Sequence, residues 1–314
     1  MKRRLAHFFH FRLLPATLRR WPRPIWRLPA ALMGTGRMLL DVKTRQLAGA
    51  ALVALGQRDT ALARWRFRWL VAYHVEANLA LGLQADQLDL PWARAHVTYD
   101  TLPPTGGGVL LSLHHANSRV GFLRLSEMIG PLGVIVAGTL AEHTTGQTGP
   151  SKLATTMASY SRRSRDLRLR MFGGNIFGAQ HDLRGALRFL RNDGYLVIQP
   201  DARFSGEPRW PPLGKAFPLA EGALWFARQS GKPLIPYGVV STRRGWHVVI
   251  EAPLVDPTMD AVAAALERRL RATPTSWHPD YWQAWATMPS WEDYQAHRAA
   301  ATQAVETATA SAKP

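Results

Sequence analysis

The sequence predicts an α/β fold: a central, mostly parallel or mixed sheet flanked by helices, with a helical segment ahead of it. Three observations predict it. Short apolar runs bounded by Gly, Pro or Asp recur along the chain and read as buried strands. Stretches of helical period alternate with them, the pattern of a sheet with helices packed on it. The chain has 314 residues and an ordinary apolar fraction, enough to bury one large α/β core.

Residues 1–38 are basic and aromatic. Phe8, Phe9, Phe11, Trp21 and Trp26 stand among Arg12, Arg19, Arg20, Arg23 and Arg27, and the first acidic residue is Asp41. Pro15, Pro22, Pro24 and Pro29 break the stretch into short pieces. Bulky apolar residues interleaved with charge predict a membrane-interface segment rather than a solvated tail. Two helices are expected next, over 38–57 and 59–83, within a segment 39–95 that packs on the core. The second has Arg64, Arg66 and Arg68 at alternate positions, and its Trp and Leu residues gather on one side.

The α/β domain is expected over 96–290. Gly106-Gly107-Gly108 leads into apolar residues 109–113, a strand that delivers His114 and His115 at its carboxyl end. A helix to about Met128 and a strand over 133–138 follow. A looser segment carries Arg162, Arg163, Arg165, Arg168 and Arg170, charges suited to an acidic partner. A helix over 182–192 ends at Asp193-Gly194, and the strand over 195–199 stops at Pro200-Asp201. A Pro/Gly-rich loop runs to Gly214. A helix over 219–230 closes on Gly231, strands occupy 233–240 and 246–251, and a helix covers 258–272. Trp277, Tyr281, Trp282 and Trp285 read as packing residues. Residues 291–314 read as the end of a C-terminal helix and a disordered tail.

Composition narrows the chemistry. No cysteine is present, which excludes disulfides, thiolate metal sites and cysteine nucleophiles. A net charge of +17 calls for an anionic partner, and 12 tryptophans mixed with basic residues favour lipid headgroups. No recognised nucleic-acid motif is found, so no nucleic-acid partner is expected. No stretch reaches the roughly 18–20 consecutive apolar residues of a spanning helix. Met1-Lys2-Arg3-Arg4 is a poor start for a secretory signal. The sequence has no GxGxxG, P-loop, HExxH or GxSxG.

In open α/β sheets, sites gather at the carboxyl ends of strands. Two such ends carry titratable residues, His114-His115 and Asp201. The segment Leu110-Leu111-Ser112-Leu113-His114-His115-Ala116-Asn117-Ser118-Arg119-Val120-Gly121 resembles the first motif of the bacterial lipid A late acyltransferases, within the wider lysophospholipid acyltransferase-like superfamily. There an apolar strand delivers a histidine, then an asparagine three positions on and a glutamate five positions on. His114, Asn117 and Gly121 match in register, and Arg119 takes the glutamate position. The likeness continues through Asp193-Gly194-Tyr195-Leu196-Val197-Ile198-Gln199-Pro200-Asp201, Pro212-Leu213-Gly214-Lys215-Ala216 and the stretch from Gly222 to Pro236. It reaches Pro274-Thr275-Ser276-Trp277-His278, so it spans about residues 40–288.

The resemblance implies a glycerolipid acyltransferase-like fold and a membrane-associated acyltransferase at the cytoplasmic face of a bacterial inner membrane. The donor is an acyl thioester on acyl carrier protein or coenzyme A. The acceptor is a hydroxyl of a lipid, glycolipid or hydrophobic metabolite. No metal or bound cofactor is implied. His114 is the general base, and a carboxylate orients it. Arg119 cannot be that carboxylate, because a guanidinium accepts no hydrogen bond. Three readings stand open. A carboxylate from another strand completes the pair, with Asp201 first and Glu142, Asp182, Glu207 and Glu221 behind it. Alternatively His114 acts alone, with Arg119 on phosphate or the oxyanion. In the third, the chain is a degenerate homologue that binds acyl donor or anionic membrane without turnover. Asn117 orients the histidine loop or caps a helix, and Arg203 and Lys215 are candidates for phosphate or the phosphopantetheine arm. His115, next along a strand, points away from His114 and is read as structural.

Overall fold

The computed structural model of the chain describes residues 27–83, 94–115, 118–136, 169, 171–179, 182–202, 207–242 and 245–311. Most of the expected membrane-interface segment, Asn117, Glu142, Arg203 and the arginines at 162, 163, 165, 168 and 170 lie outside the described residues.

Among the described residues, three helices come first: α1 (Arg27–Leu40), α2 (Val42–Ala54) and α3 (Ala61–Leu83). The strands are β1 (Val97–Tyr99), β2 (Gly108–Leu111), β3 (Gly133–Val136), β4 (Ile176–Gly178), β5 (Tyr195–Ile198), β6 (Pro208–Trp210), β7 (Phe217–Pro218), β8 (Leu234–Ser241) and β9 (Trp246–Ile250). Among them lie α4 (Ser118–Ile129), α5 (Leu183–Arg191) and α6 (Gly222–Ser230), and after them α7 (Met259–Ala272), α8 (Pro279–Thr287) and α9 (Trp291–Ser311). One seven-stranded sheet has the order β1-β9-β8-β2-β5-β3-β4, and β6 pairs with β7 in a small hairpin. Within the large sheet, β8 and β9 are antiparallel and every other pairing is parallel. The expected α/β architecture, a mostly parallel mixed sheet flanked by helices, is what the chain adopts.

The central strands are apolar without interruption because helices cover both faces. Leu110, Val197, Ile235, Tyr237 and Val239 join the core beneath α4, with Val120, Phe122, Leu123 and Leu125. Val109, Leu111, Leu113, Leu196, Ile198 and Leu234 face the opposite core, built with residues of α2, α3, α5, α6, α7 and α8. Alternate residues therefore divide between two cores, each fully buried side chain contributing about 1.5–3 kcal/mol.

Three boundaries depart from expectation. The first helix starts at Arg27, crossing the boundary drawn at residue 38. Pro29 does not break it, because a first-turn residue has no intrahelical N–H bond to lose. The helix expected over 38–57 is interrupted at Asp41, whose carboxylate accepts from Thr44 N–H at 3.1 Å and starts α2. The C-terminal stretch read as frayed is helical to Ser311, started by Ser290, whose Oγ accepts from Asp293 N–H at 3.0 Å. Strands β1, β4 and the β6–β7 hairpin have no counterpart in the expected elements.

Candidate active site

Parallel register brings the two strand ends together. Leu111 lies opposite Ile198. Three residues further along each chain stand His114 and Asp201. The extensions stay tied beyond the ladder: Ser112 N–H donates to Ile198 O at 3.1 Å, and Gln199 Nε2 donates to Leu113 O at 2.7 Å. Asp201 sits in the 3₁₀ turn Pro200–Ala202 and has no exposed surface.

Three donors converge on that buried carboxylate. His114 Nδ1–H reaches Oδ1 at 2.8 Å, the His114 backbone N–H reaches Oδ2 at 3.0 Å, and Trp277 Nε1–H reaches Oδ2 at 2.9 Å. Burial works against the charge on Asp201. The imidazole of His114, its hydrogen bond, the Trp277 indole and the His114 N–H outweigh burial and hold the carboxyl below its ordinary value. An ionised carboxylate only accepts, so Nδ1 carries a proton, and in the neutral ring the lone pair is then on Nε2. The His114 side chain is 31% exposed, so part of the imidazole is reachable from solvent.

The segment that begins at Pro274 holds the histidine from its other side. His278 N–H donates to His114 O at 3.1 Å, and the Tyr281 ring lies over the imidazole with centroids 4.9 Å apart and planes 16° from parallel. Trp277 is fully buried against Trp210, Phe217 and Trp282, as a packing residue should be, but it also bonds the acid, a role that sequence reasoning missed. The signal for it was confined to the family-like segment 274–278. Nothing in the sequence pointed to Tyr281 in particular.

Of the considered carboxylates that lie among the described residues, Asp201 is the one that meets His114. Asp182 occupies the N-cap position of α5, Glu207 pairs with Arg209 and Arg298, and Glu221 pairs with Arg209. His115 is buried, bridges to Trp277 through its backbone, and neither ring nitrogen has a hydrogen-bond partner among the described residues. Burial first, then Arg269 and His114 against the opposing pull of Asp201, push its pKa down to about 4. It is therefore a neutral core residue. Arg119 is the second residue of α4; its side chain lies outside the described ones. Lys215 follows the 3₁₀ turn Pro212–Gly214 and pairs with Ser290 through its backbone; among the described residues, none joins its amine to the dyad. The structure thus unites His114 with Asp201 and does not bring Lys215 to them.

Comparison with protein-family models and with curated proteins found no match. The chemistry of the site therefore rests on its own geometry. An imidazole whose Nδ1–H is held by a buried anion presents its second nitrogen for proton exchange, the arrangement of a general base. A cavity of about 580 Å³ between β6, α7 and α9, lined by Trp210, Glu267, Trp291 and Arg298 among others, includes neither dyad residue. Among the described residues, no cluster of three or more His, Asp or Glu is placed to hold a metal ion, and no helix is long and apolar enough to cross a membrane.

Proposed function

We propose that the protein is a membrane-associated acyltransferase of the lipid A late acyltransferase type, with a glycerolipid acyltransferase-like fold, acting at the cytoplasmic face of a bacterial inner membrane. It moves a fatty acyl group from a thioester of acyl carrier protein or coenzyme A to a hydroxyl of a lipid, glycolipid or hydrophobic metabolite. The observation that carries this reading is the 2.8 Å bond from His114 Nδ1 to the buried Asp201. The motif around His114 lacks its glutamate, and Asp201 supplies the orienting carboxylate from the neighbouring strand. A binding-only homologue was attractive because the acid was missing, and that ground is weakened.

In this mechanism His114 Nε2 takes the proton of the acceptor hydroxyl as its oxygen attacks the thioester carbonyl. Asp201 holds the imidazolium as it forms. The tetrahedral oxyanion collapses, the carbon–sulfur bond breaks, and the imidazolium returns its proton to the departing thiolate. The net change is acyl oxygen ester for acyl thioester, and no redox partner or metal is required. Asn117, Arg119, Arg203 and Lys215 are assigned to substrate binding, with the basic three suited to phosphates of donor or acceptor.

The test is turnover by purified protein given acyl-carrier-protein and acyl-coenzyme A thioesters, read by mass spectrometry. Lipids and metabolites that differ between cells with and without the protein serve as acceptors. His114→Ala should abolish product. Undiminished turnover in that variant overturns the assignment.

A further inference from the structure

The geometry points to Tyr281 as a positioning residue for His114, holding the imidazole by its face and favouring its protonated form. The inference rests on the reading of His114 as a base. One backbone segment reaches the dyad at three points: Trp277 at the acid, His278 N–H at the His114 carbonyl, and Tyr281 on the ring. The first two fix Asp201 and the His114 backbone. Only the third acts on the imidazole plane. With centroids 4.9 Å apart and planes 16° from parallel, the phenol ring blocks rotation that would swing Nδ1 away from Asp201. Its negative face also attracts imidazolium more than imidazole. One face of the base is covered by the phenol ring, so a hydroxyl reaches Nε2 from a side that Tyr281 leaves open.

Tyr281 can hold this place because α8 starts close by. His278 is its N-cap, with Nδ1 accepting from Asp280 N–H, and Pro279 occupies the first turn. Tyr281 is one half-turn further, in contact with Trp277 at 5.9 Å between ring centroids. Burial, then Asp201 and Asp280, hold its phenol above the ordinary value, so the ring stays neutral. Among the described residues, the titratable groups around His114 are Asp201 from the turn after β5, His115 beside it, His278 at the N-cap of α8, and Asp280 and Tyr281 of α8. Arg269 of α7 acts on His115. Among them only Tyr281 lies parallel on the imidazole.

The experiment is an NMR titration of the His114 imidazole in the full chain, for wild type, Tyr281→Leu and Tyr281→Phe, beside kcat and KM as functions of pH. Thermal unfolding of each variant accompanies it. In Tyr281→Leu the His114 midpoint falls by about half a unit to one unit, and the acid limb of kcat moves to lower pH with it. The kcat drops about tenfold while KM holds. Tyr281→Phe, which keeps the ring face, returns the midpoint to that of wild type. An unchanged His114 midpoint in Tyr281→Leu, or a Phe variant no better than Leu, overturns the proposal. The NMR arm needs no turnover. A shifted midpoint with no acyl transfer by wild type sustains the positioning role while the acyltransferase reading fails.

Discussion

Among the described residues, three N–H donors converge on Asp201. Two N–H groups of His114 and the indole N–H of Trp277 all point at its two oxygens. An amide in its place must turn its NH₂ toward one of those donors. Asp201→Asn therefore breaks at least one bond and leaves buried polar groups unpaired, a loss of about 1–3 kcal/mol in stability. The larger effect is on rate. Without the anion the imidazole loses its preferred tautomer, and turnover should fall by roughly 10²–10⁴-fold. Steady-state kinetics with a thioester donor checks this, together with circular dichroism to show that the variant folds. A wild-type rate in a folded Asp201→Asn protein removes Asp201 from the mechanism.

Helix α4 begins just beyond His114 and packs on β8 without a gap. Gly121 is the contact: a Cβ built there would lie 1.9 Å from Tyr237 Oη and 2.5 Å from Val239 Cγ2. Tyr237 is buried, and its hydroxyl has no partner among the described residues. Gly121→Ala should therefore destabilise the fold by about 1–3 kcal/mol through overpacking. Tyr237→Phe removes the nearest clashing atom and a buried unpaired hydroxyl, so the double variant should recover part of the loss in urea denaturation. Additive single effects would contradict this packing account. Helix α1 presents Leu28, Leu32 and Leu39 to solvent at helical spacing, with Leu32 63% exposed. Thr35 of the same stripe accepts from Trp69 Nε1–H at 3.0 Å, and Trp69 stacks on the half-exposed Trp65. Arg45, Arg58 and Arg66 are exposed nearby in sequence. Such an apolar stripe, in helices that also carry exposed cations, suits an anionic lipid surface. Replacing Leu32 and Trp65 together by Glu should reduce flotation with phosphatidylglycerol vesicles at least tenfold at unchanged thermal stability. Equal flotation would place lipid contact elsewhere.

At the scale of the whole molecule, two buried histidines among the described residues make the fold sensitive to acid. His74 and His115 are both driven down to about 4, each chiefly by burial, from an ordinary value of 6.5. The unfolded chain binds protons at these rings as pH falls below 6.5, while the folded chain refuses them until about 4. The proton uptake favours the unfolded state, so stability is full above 6.5 and declines between 6.5 and 4 by roughly 3 kcal/mol for each ring. Asp201, held below its ordinary value, contributes in the same direction at lower pH still. Denaturant midpoints measured from pH 7 to 4 should show this fall, and His115→Phe should shallow it. A flat profile in the wild type would mean that these rings are protonated in place. The three N-terminal helices belong to the same unit as the site. The Phe67 ring of α3 meets Trp282 of α8 edge to face at 5.4 Å, so the helix that carries Tyr281 is braced from the start of the chain.

Periodicity and strand-end logic by themselves determined the alternation of strands and helices, the five longest strands among those described, and the placement of His114 and Asp201 at carboxyl ends. These are local properties: an apolar run of β-branched and leucine residues shows that it is buried on both faces whatever its neighbours are. Strands of two or three residues, such as β1, β4 and β7, carry too little pattern to be read. Asp201 could be preferred over four other carboxylates but not chosen, because the choice depends on β2 and β5 being adjacent and on Leu111 pairing with Ile198. Register in a parallel pair is set by side-chain packing across two strands far apart in sequence, and no single strand encodes it. The same holds for Trp277 and Tyr281. Their residue types announced burial, and only the docking of residues 277–281 against the segments that follow β2 and β5 aimed one indole N–H at the acid and one ring at the base.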